Sequence, residues 1–371
     1  MTMKLLFIED EYEHVEPAIE LIKKEYDNPQ CKVVAFDVSE AAIQSLQPDV
    51  VILDLLNNGS TPEASSDGIA TRNYIWDNYF CPIIVYSAQP GIHDDRYEEH
   101  PFVKSIQKGA GSDKEVLAAL VELVPHVEAL QGAASYVRHS FSCAMREVAP
   151  IAFGSIEDPE KRNEAIMRAG RRRLAALMDG ISGDAVGLAC WEQYLCPPVC
   201  EDTQLGDILR EMDGDPCDPN CFRVVLTPSC DLVGSGGRKP KVAEVLTARC
   251  GSIEQALEKI SRIPGKKKVD EFKERLSVDV LTQGYYGSIL PFPCLLDKIP
   301  PMAADMRELE LTPMGDIGFP DKRFIRVASI DSPFRELVSW AYLQIACRPG
   351  LPDRDLKQWA DEILVNSKPK N

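Results

Sequence analysis

Over positions 1–130, short apolar runs alternate with amphipathic segments at a spacing that few folds can absorb. The runs are Lys4–Ile8, Lys32–Phe36, Val50–Leu53, Ile83–Tyr86 and Ser105–Gln107, and the helix-like segments are His14–Lys24, Glu40–Leu46, Gly68–Asn78 and Asp113–Leu123. Strand, helix and strand at this spacing make βαβ units. The expected α/β architecture is therefore a doubly wound, five-stranded parallel sheet. In such sheets functional groups gather beyond the carboxyl ends of the strands, where strand order reverses.

The residues that follow the runs carry a consistent chemistry. Glu9 and Asp10 follow the first, Asp54 the third, Ser87 and Ala88 the fourth, and Lys108 the last. Three carboxylates at one sheet edge form a hard, oxygen-rich site suited to Mg²⁺, which accepts one or more carboxylates and keeps several waters. A small hydroxyl and a lysine opposite them would bind phosphoryl oxygens, the lysine as a point charge. Such a site accepts a phosphoryl group on one aspartate while the cations neutralise the developing charge. Lys104 is the rival lysine, but it follows Ser87 too closely and precedes the strand end, so Lys108 is the expected one.

This pattern resembles the receiver domain of two-component response regulators, a flavodoxin-like fold, over roughly residues 3–125. Glu9 and Asp10 in FIED match the acidic pair that holds Mg²⁺, and Asp54 in VVILDLL matches the phospho-accepting aspartate. Ser87 in IIVYSA matches the switch hydroxyl, and Lys108 the lysine that contacts the phosphoryl group. The intervals from Asp54 to Ser87 and from Ser87 to Lys108 are close to the family's own. The chain departs from the family in the long loop NNGSTPEASSD after Asp54, in Gly109 where a proline is usual, and in Ser105 where an aromatic switch residue usually stands. The segment GIHDDRYEEH reads as a short, charged fourth helix.

Charge is unevenly divided. Residues 1–130 hold 23 acidic and 9 basic side chains, net −14, while the remainder is nearly neutral at −3. The first third repels phosphate backbones, so any nucleic-acid contact would have to come from the nearly neutral remainder, and nucleic acid is not an expected partner; nor is a membrane. All five histidines precede Ser140, which excludes Ser-His-Asp, Cys-His, HExxH and Cys₂His₂ chemistry built from the rest of the chain alone. The chain opens on a strand-like run without signal-peptide architecture. No apolar stretch approaches the roughly 20 residues that a membrane-spanning helix needs. A cytoplasmic location with reduced thiols is the expectation.

Three regions follow: a receiver-like domain at 1–125, a helical linker at 126–180, and an α+β output domain at 181–371. Pro125 is expected to interrupt the receiver's fifth helix, and a second helix then follows over His126–Ala149, with His139 in a structural place. Asp158-Pro159 is an N-cap followed by proline at the first helical position, opening a helix that ends near Gly180. Arg168, Arg171, Arg172 and Arg173 crowd that helix, as a solvated basic face, a partner for the acidic domain, or a grip on phosphates. Beyond it, strands are expected at Phe222–Thr227, Ala243–Arg249, Leu309–Thr312 and Phe324–Ile330. Helices are expected at Asp270–Leu276, Pro333–Ala346 (capped by Ser332) and Asp355–Val365, with Trp340 and Trp359 in the core.

Seven of the twelve cysteines lie between Cys190 and Cys250. Two CxxxC pairs, Cys196/Cys200 and Cys217/Cys221, sit in separate proline-bearing turns, and an all-cysteine Zn²⁺ site is one reading, with Cys230 or Cys250 as substitutes. Buried or unpaired thiols are the other. Cys230-Asp231 also admits a nucleophile reading in which Arg238 or Lys239 supplies the positive neighbour a thiolate needs.

The resemblance implies a response-regulator-like signalling protein. A partner sensor histidine kinase or phosphotransfer protein phosphorylates Asp54, with Mg²⁺ on Glu9, Asp10 and Asp54, and Ser87 and Lys108 shift to bias an interaction or regulatory output domain. It also makes a homodimer an admissible partner, and it implies no enzymatic activity beyond phosphoryl transfer onto Asp54. The alternatives are a cysteine- or metal-dependent effector enzyme controlled by the receiver, and a DNA-binding output through Arg168–Arg173.

Overall fold

The structure, a computed structural model, describes residues 3–56, 65–90, 100–178, 187–234, 238–254, 276–318, 322–347 and 354–366. The chain forms two compact units, Met1–Ser182 and Gly183–Asn371.

The first unit is built on five parallel strands, β1 (Lys4–Ile8), β2 (Gln30–Val34), β3 (Val50–Leu53), β4 (Ile83–Ser87) and β5 (Val103–Gln107), in the order β2-β1-β3-β4-β5. Helices α1 (Tyr12–Glu25), α2 (Ser39–Leu46) and α3 (Ser65–Asn78) connect them, and α4 (Ser112–Ser155) follows β5. Because strand side chains alternate, the central strands feed two separate cores. Leu5, Phe7, Val50, Ile52, Ile84 and Tyr86 pack with Val15, Ile19 and Ile22 of α1 and with Val116, Leu120 and Leu123 of α4. Leu6, Ile8, Val51, Leu53, Ile83 and Val85 pack on the other face with Ala42 and Ile43 of α2 and Ile75 of α3. This is the doubly wound sheet expected from the alternation. The direction of winding across the sheet reverses between β1 and β3, which places the switch point at their carboxyl ends.

Pro125 does not interrupt the last helix. α4 runs unbroken for 44 residues through both Pro125 and Pro150, although an internal proline costs about 3 kcal/mol. Packing on both sides outweighs that cost: Leu123 and Val127 are buried in the sheet core, and Gln131 Nε2 donates to Asp49 Oδ1 at 2.6 Å. Further along, Ser140, Ala144, Val148 and Ala152 form a buried i, i+4 stripe. Helix α5 (Pro159–Met178) packs against this half of α4, with Gly170 so close to Met145 that a Cβ would stand 2.3 Å from its Cε. The α5 cap is the expected one, Asp158 Oδ1 accepting the Lys161 amide at 2.9 Å. By length and composition alone α4 is apolar enough to cross a membrane, but its first half is part of the sheet core.

The second unit contains a seven-stranded antiparallel sheet in the order β10-β11-β9-β8-β7-β12-β6. Its strands are β6 (Tyr194–Leu195), β7 (Asp207–Glu211), β8 (Phe222–Val225), β9 (Glu244–Gly251), β10 (Ile289–Phe292), β11 (Met302–Pro313) and β12 (Phe324–Ile330). A four-residue helix α6 (Ser229–Leu232) follows β8, and α7 (Phe334–Ala346) and α8 (Leu356–Asn366) close the chain. Val338 and Ala341 of α7 join the core formed by Ile208, Phe222, Val224, Ala304 and Ile330. Strands β6, β7 and β10 are additional to those expected, and β11 extends over Met302–Pro313, with a register shift between Ala304 and Leu309. The expected helix at Asp270–Leu276 falls almost wholly outside the described residues. Trp340 and Trp359, expected in the core, are about half exposed, and Trp340 Nε1 donates to Tyr285 Oη at 3.1 Å. Ser332 does not cap α7: its hydroxyl donates to the Glu336 carboxylate at 3.0 Å, while the Arg335 amide donates to Asp331 O at 2.8 Å.

Candidate phosphoryl and cation site

Backbone pairing carries the parallel ladder one residue past the strand ends and thereby fixes the side chains there. The Glu9 amide donates to Val34 O at 2.9 Å, the Asp54 amide to Ile8 O at 3.0 Å, and the Lys108 amide to Ser87 O at 2.9 Å. Cross-strand register brings Ile8 opposite Leu53, Leu53 opposite Val85, and Ser87 opposite Gln107, so the residues that follow share one edge of the sheet.

At that edge Lys108 Nζ donates to Glu9 Oε2 and to Asp54 Oδ2, each at 2.5 Å. All three side chains are nearly closed to solvent, at 15% exposure for Lys108, 5% for Glu9 and 8% for Asp54. Burial raises the Glu9 carboxyl above its usual range, and the Lys108 hydrogen bond only partly opposes this. Burial disfavours the Lys108 ammonium, yet hydrogen bonds to Asp54 and Glu9 hold its pKa above the ordinary lysine value. The remaining lone pairs are partly tied: the Leu56 amide donates to Asp54 Oδ1 at 3.1 Å and the Glu11 amide to Glu9 Oε1 at 3.3 Å.

Two polar atoms beside this triad are buried without a hydrogen-bond partner, Asp10 Oδ2 and the Oγ of the wholly enclosed Ser87. A buried polar group left unpaired costs about 1–3 kcal/mol, and a water or an ion at this edge would pair these two. Two carboxylates sharing one ammonium leave the site short of positive charge. A hydrated Mg²⁺ fits one or two of these carboxylates, because it keeps most of its waters: Glu9 and Asp54, which share the Lys108 ammonium, would hold it, with Asp10 next to Glu9 in sequence.

Lys104 stands apart, its ammonium 2.6 Å from Glu122 on α4. Ser105 is exposed on β5, whereas Tyr86 on β4 is buried and hydrogen bonded through its hydroxyl to Ser112 Oγ at 2.8 Å. The long loop after Asp54 and the segment GIHDDRYEEH fall, but for their last residues, outside the described residues. His14, on the first turns of α1, is a neighbour the sequence reading passed over. Its Nδ1 is 3.4 Å from Glu9 Oε1. The available signal was its place one helical turn beyond Asp10.

Gly68 on α3 sets the backing of this site. A Cβ there would lie 2.5 Å from Leu55 Cα and 2.6 Å from Leu55 O, backbone atoms next to Asp54. Gly68→Ala should therefore displace the Asp54 loop and destabilise the unit by about 1–3 kcal/mol, the usual cost of overpacking. A melting curve unchanged from that of the parent chain would refute this.

The cysteine cluster does not assemble. Cys196 Sγ donates to Val327 O at 3.4 Å and accepts from Lys298 Nζ, while Cys221 Sγ lies against Asp218 and the Cys217 amide against Asp215. Cys200 is exposed, and all twelve cysteines are free thiols. Among the described residues, no three His, Cys, Asp or Glu side chains form a metal-holding group. A structural zinc needs four direct ligands, and these thiols do not gather them. Cys230 is exposed beside Asp231 (3.6 Å), whose carboxylate is paired with Lys241 at 2.6 Å. Arg171, Arg172 and Arg173 are exposed on α5, and Arg168 pairs with Glu164 at 3.2 Å.

No family model and no curated protein matches the chain. Among solved structures it is similar to NtrX from Brucella abortus, at 19% identity and a TM-score of 0.29, covering 37% of this chain and 30% of that one. It is also similar to the PhyR response regulator REC domain from Erythrobacter litoralis, at 18% identity and a TM-score of 0.25, covering 32% of this chain and 91% of that one. The chain spans 30–41% of the length of the NtrX structures it matches.

Proposed function

We propose that this chain is a response-regulator-like signalling protein that accepts a phosphoryl group on Asp54. The observation that carries the reading is the Lys108 ammonium shared between Glu9 and Asp54 at the switch point, with Asp10 Oδ2 and Ser87 Oγ buried and unpaired beside it. The donor is a phosphohistidine on a partner kinase or phosphotransfer protein. An Asp54 carboxylate oxygen forms the new O–P bond as the donor's N–P bond breaks, and the electron pair leaves with the imidazole nitrogen. Mg²⁺, when bound by Glu9, Asp10 and Asp54, neutralises charge on the phosphoryl oxygens.

The chain's own residues supply the rest. Lys108, already within hydrogen-bond reach of Asp54, redirects one of its N–H donors from carboxylate to phosphoryl oxygen. Ser87 Oγ, with its hydroxyl proton uncommitted, donates to a second oxygen. Both movements relocate charge at the ends of β4 and β5 and bias the surface that controls an interaction or regulatory output in residues 183–371.

Incubation with Mg²⁺ and a small phosphodonor should give one phosphoryl adduct by intact-mass measurement, and Asp54→Asn should abolish it. An adduct that survives in Asp54→Asn would place the acceptor elsewhere and end this reading.

A further inference from the structure

Tyr86 stands one residue before Ser87 on β4 and touches both the phosphoryl edge and the base of α4. The Lys108 ammonium lies 5.7 Å from the centre of its ring, within reach of a cation–π contact. β5 reads VKSIQ and carries no aromatic side chain, so the ring beside Lys108 comes from β4. At its other end the buried Tyr86 hydroxyl meets Oγ of Ser112, the first residue of α4, at 2.8 Å.

Ser112 is itself fully committed. Its one hydroxyl proton goes to Gly109 O at 2.8 Å, and its Oγ accepts the Gly109 amide at 3.1 Å. A serine hydroxyl has a single proton and two lone pairs, so Tyr86 is the donor in the bond they share. Gly109 directly follows Lys108 in the chain. Lys108 is thereby tied to Ser112 along two routes, through the Gly109 backbone and through the Tyr86 side chain. Glycines at 109 and 111, the second at φ 85°, leave the intervening turn almost bare of side chains.

Resting on the phosphoacceptor reading of Asp54, we propose that Tyr86 is a positioning residue whose hydroxyl bond to Ser112 couples the place of Lys108 to the base of α4. When Lys108 turns toward a phosphoryl oxygen it draws Gly109 with it. Ser112 Oγ then follows Gly109 and gives up Tyr86, so the Tyr86–Ser112 bond is a contact with two states, made or broken, at the foot of the long helix.

The full chain is treated with Mg²⁺ and acetyl phosphate, the adduct is counted by intact mass, and hydrogen exchange is followed over residues 109–120. In wild type the adduct should speed exchange there by about two- to tenfold, the range that one hydrogen bond commands. Tyr86→Phe keeps the ring and should still form the adduct, but should exchange fast with and without it. Ser112→Ala, which removes the other end of the bond, should behave in the same way.

A Tyr86 that merely supports the fold would speed exchange equally in both states and preserve the difference made by the adduct, which would overturn the coupling. So would wild type whose exchange over 109–120 ignores the adduct, or loss of the adduct in Tyr86→Phe, which would assign the hydroxyl to building the site. In the first two cases the adduct still forms and the phosphoacceptor reading stands. No adduct on wild type would end both.

Discussion

Lys108→Met should cost the folded N-terminal unit about 3 kcal/mol when divalent cations are chelated, because it strands the buried Glu9 and Asp54 carboxylates without their shared ammonium. Two further behaviours mark the cause as electrostatic. Added Mg²⁺ should return part of the loss, since a cation at the same carboxylates stabilises the folded state by mass action. The deficit should also shrink on acidification. Burial already holds the Glu9 carboxyl above its usual range, and the two Lys108 contributions that lower it would be gone. A carboxyl with a raised folded pKa takes up its proton in the folded state first, so its favourable contribution is complete at low pH and is lost as pH rises through that pKa. Chemical denaturation in chelator at several pH values tests all of this. Equal stability of Lys108→Met and parent across the range would show that the lysine is not electrostatically coupled to the site.

The second large effect lies in the antiparallel sheet. Arg223 on β8 is 1% exposed, donates through Nε to Glu310 at 2.9 Å and through Nη2 to Glu211 at 3.2 Å, and satisfies the Asn220 and Phe222 carbonyls with Nη1. Removing it in Arg223→Ala should cost about 3–5 kcal/mol, combining the lost hydrogen bonds to two buried carbonyls and two carboxylates with a cavity beside Phe324. The neighbouring Arg249, half exposed and 3.8 Å from the same Glu310, should cost less than about 1 kcal/mol when truncated. Hydrogen exchange across β7, β8 and β9 distinguishes the two variants. Similar protection losses in both would show that burial of the guanidinium is not what matters.

Much of the N-terminal architecture was legible because parallel strands buried on both faces leave continuous apolar runs. Lys4–Ile8 and Val50–Leu53 are strands with those same limits, and strand ends that must align put Glu9, Asp54 and Lys108 on a single edge. Long-range packing was harder to read. Pro125 looked like a stop because its local cost is visible in sequence, while the burial of Val127 and the Gln131–Asp49 bond that offset it are not. In the second unit, β7 is a short run flanked by glycine and acidic side chains, and β11 carries Asp305, Glu308 and Glu310 within its span, so neither shows a clean alternating period. The cysteine spacings suggested half-sites, but turn geometry sends Cys196 toward Val327 and Cys221 toward Asp218. The exposure of Trp340 and Trp359 follows from the position of α7 and α8 on the fold, which helical periodicity alone does not specify.

The continuity of α4 has a mechanical consequence. Its first turns are clamped against the strands that end in Ser87 and Gln107, and the helix continues past Val127 to Ser155, a reach of about 42 Å at about 1.5 Å per residue. Such a helix is a lever arm with its fulcrum at the sheet. A tilt of roughly 5° at the base, too small to break packing there, swings the far end by about 4 Å over that length. Had Pro125 divided the segment, the same tilt would have been absorbed at the joint. As one rod braced by α5, it converts an ångström-scale adjustment at the base into a displacement comparable to the width of a side chain at the tip.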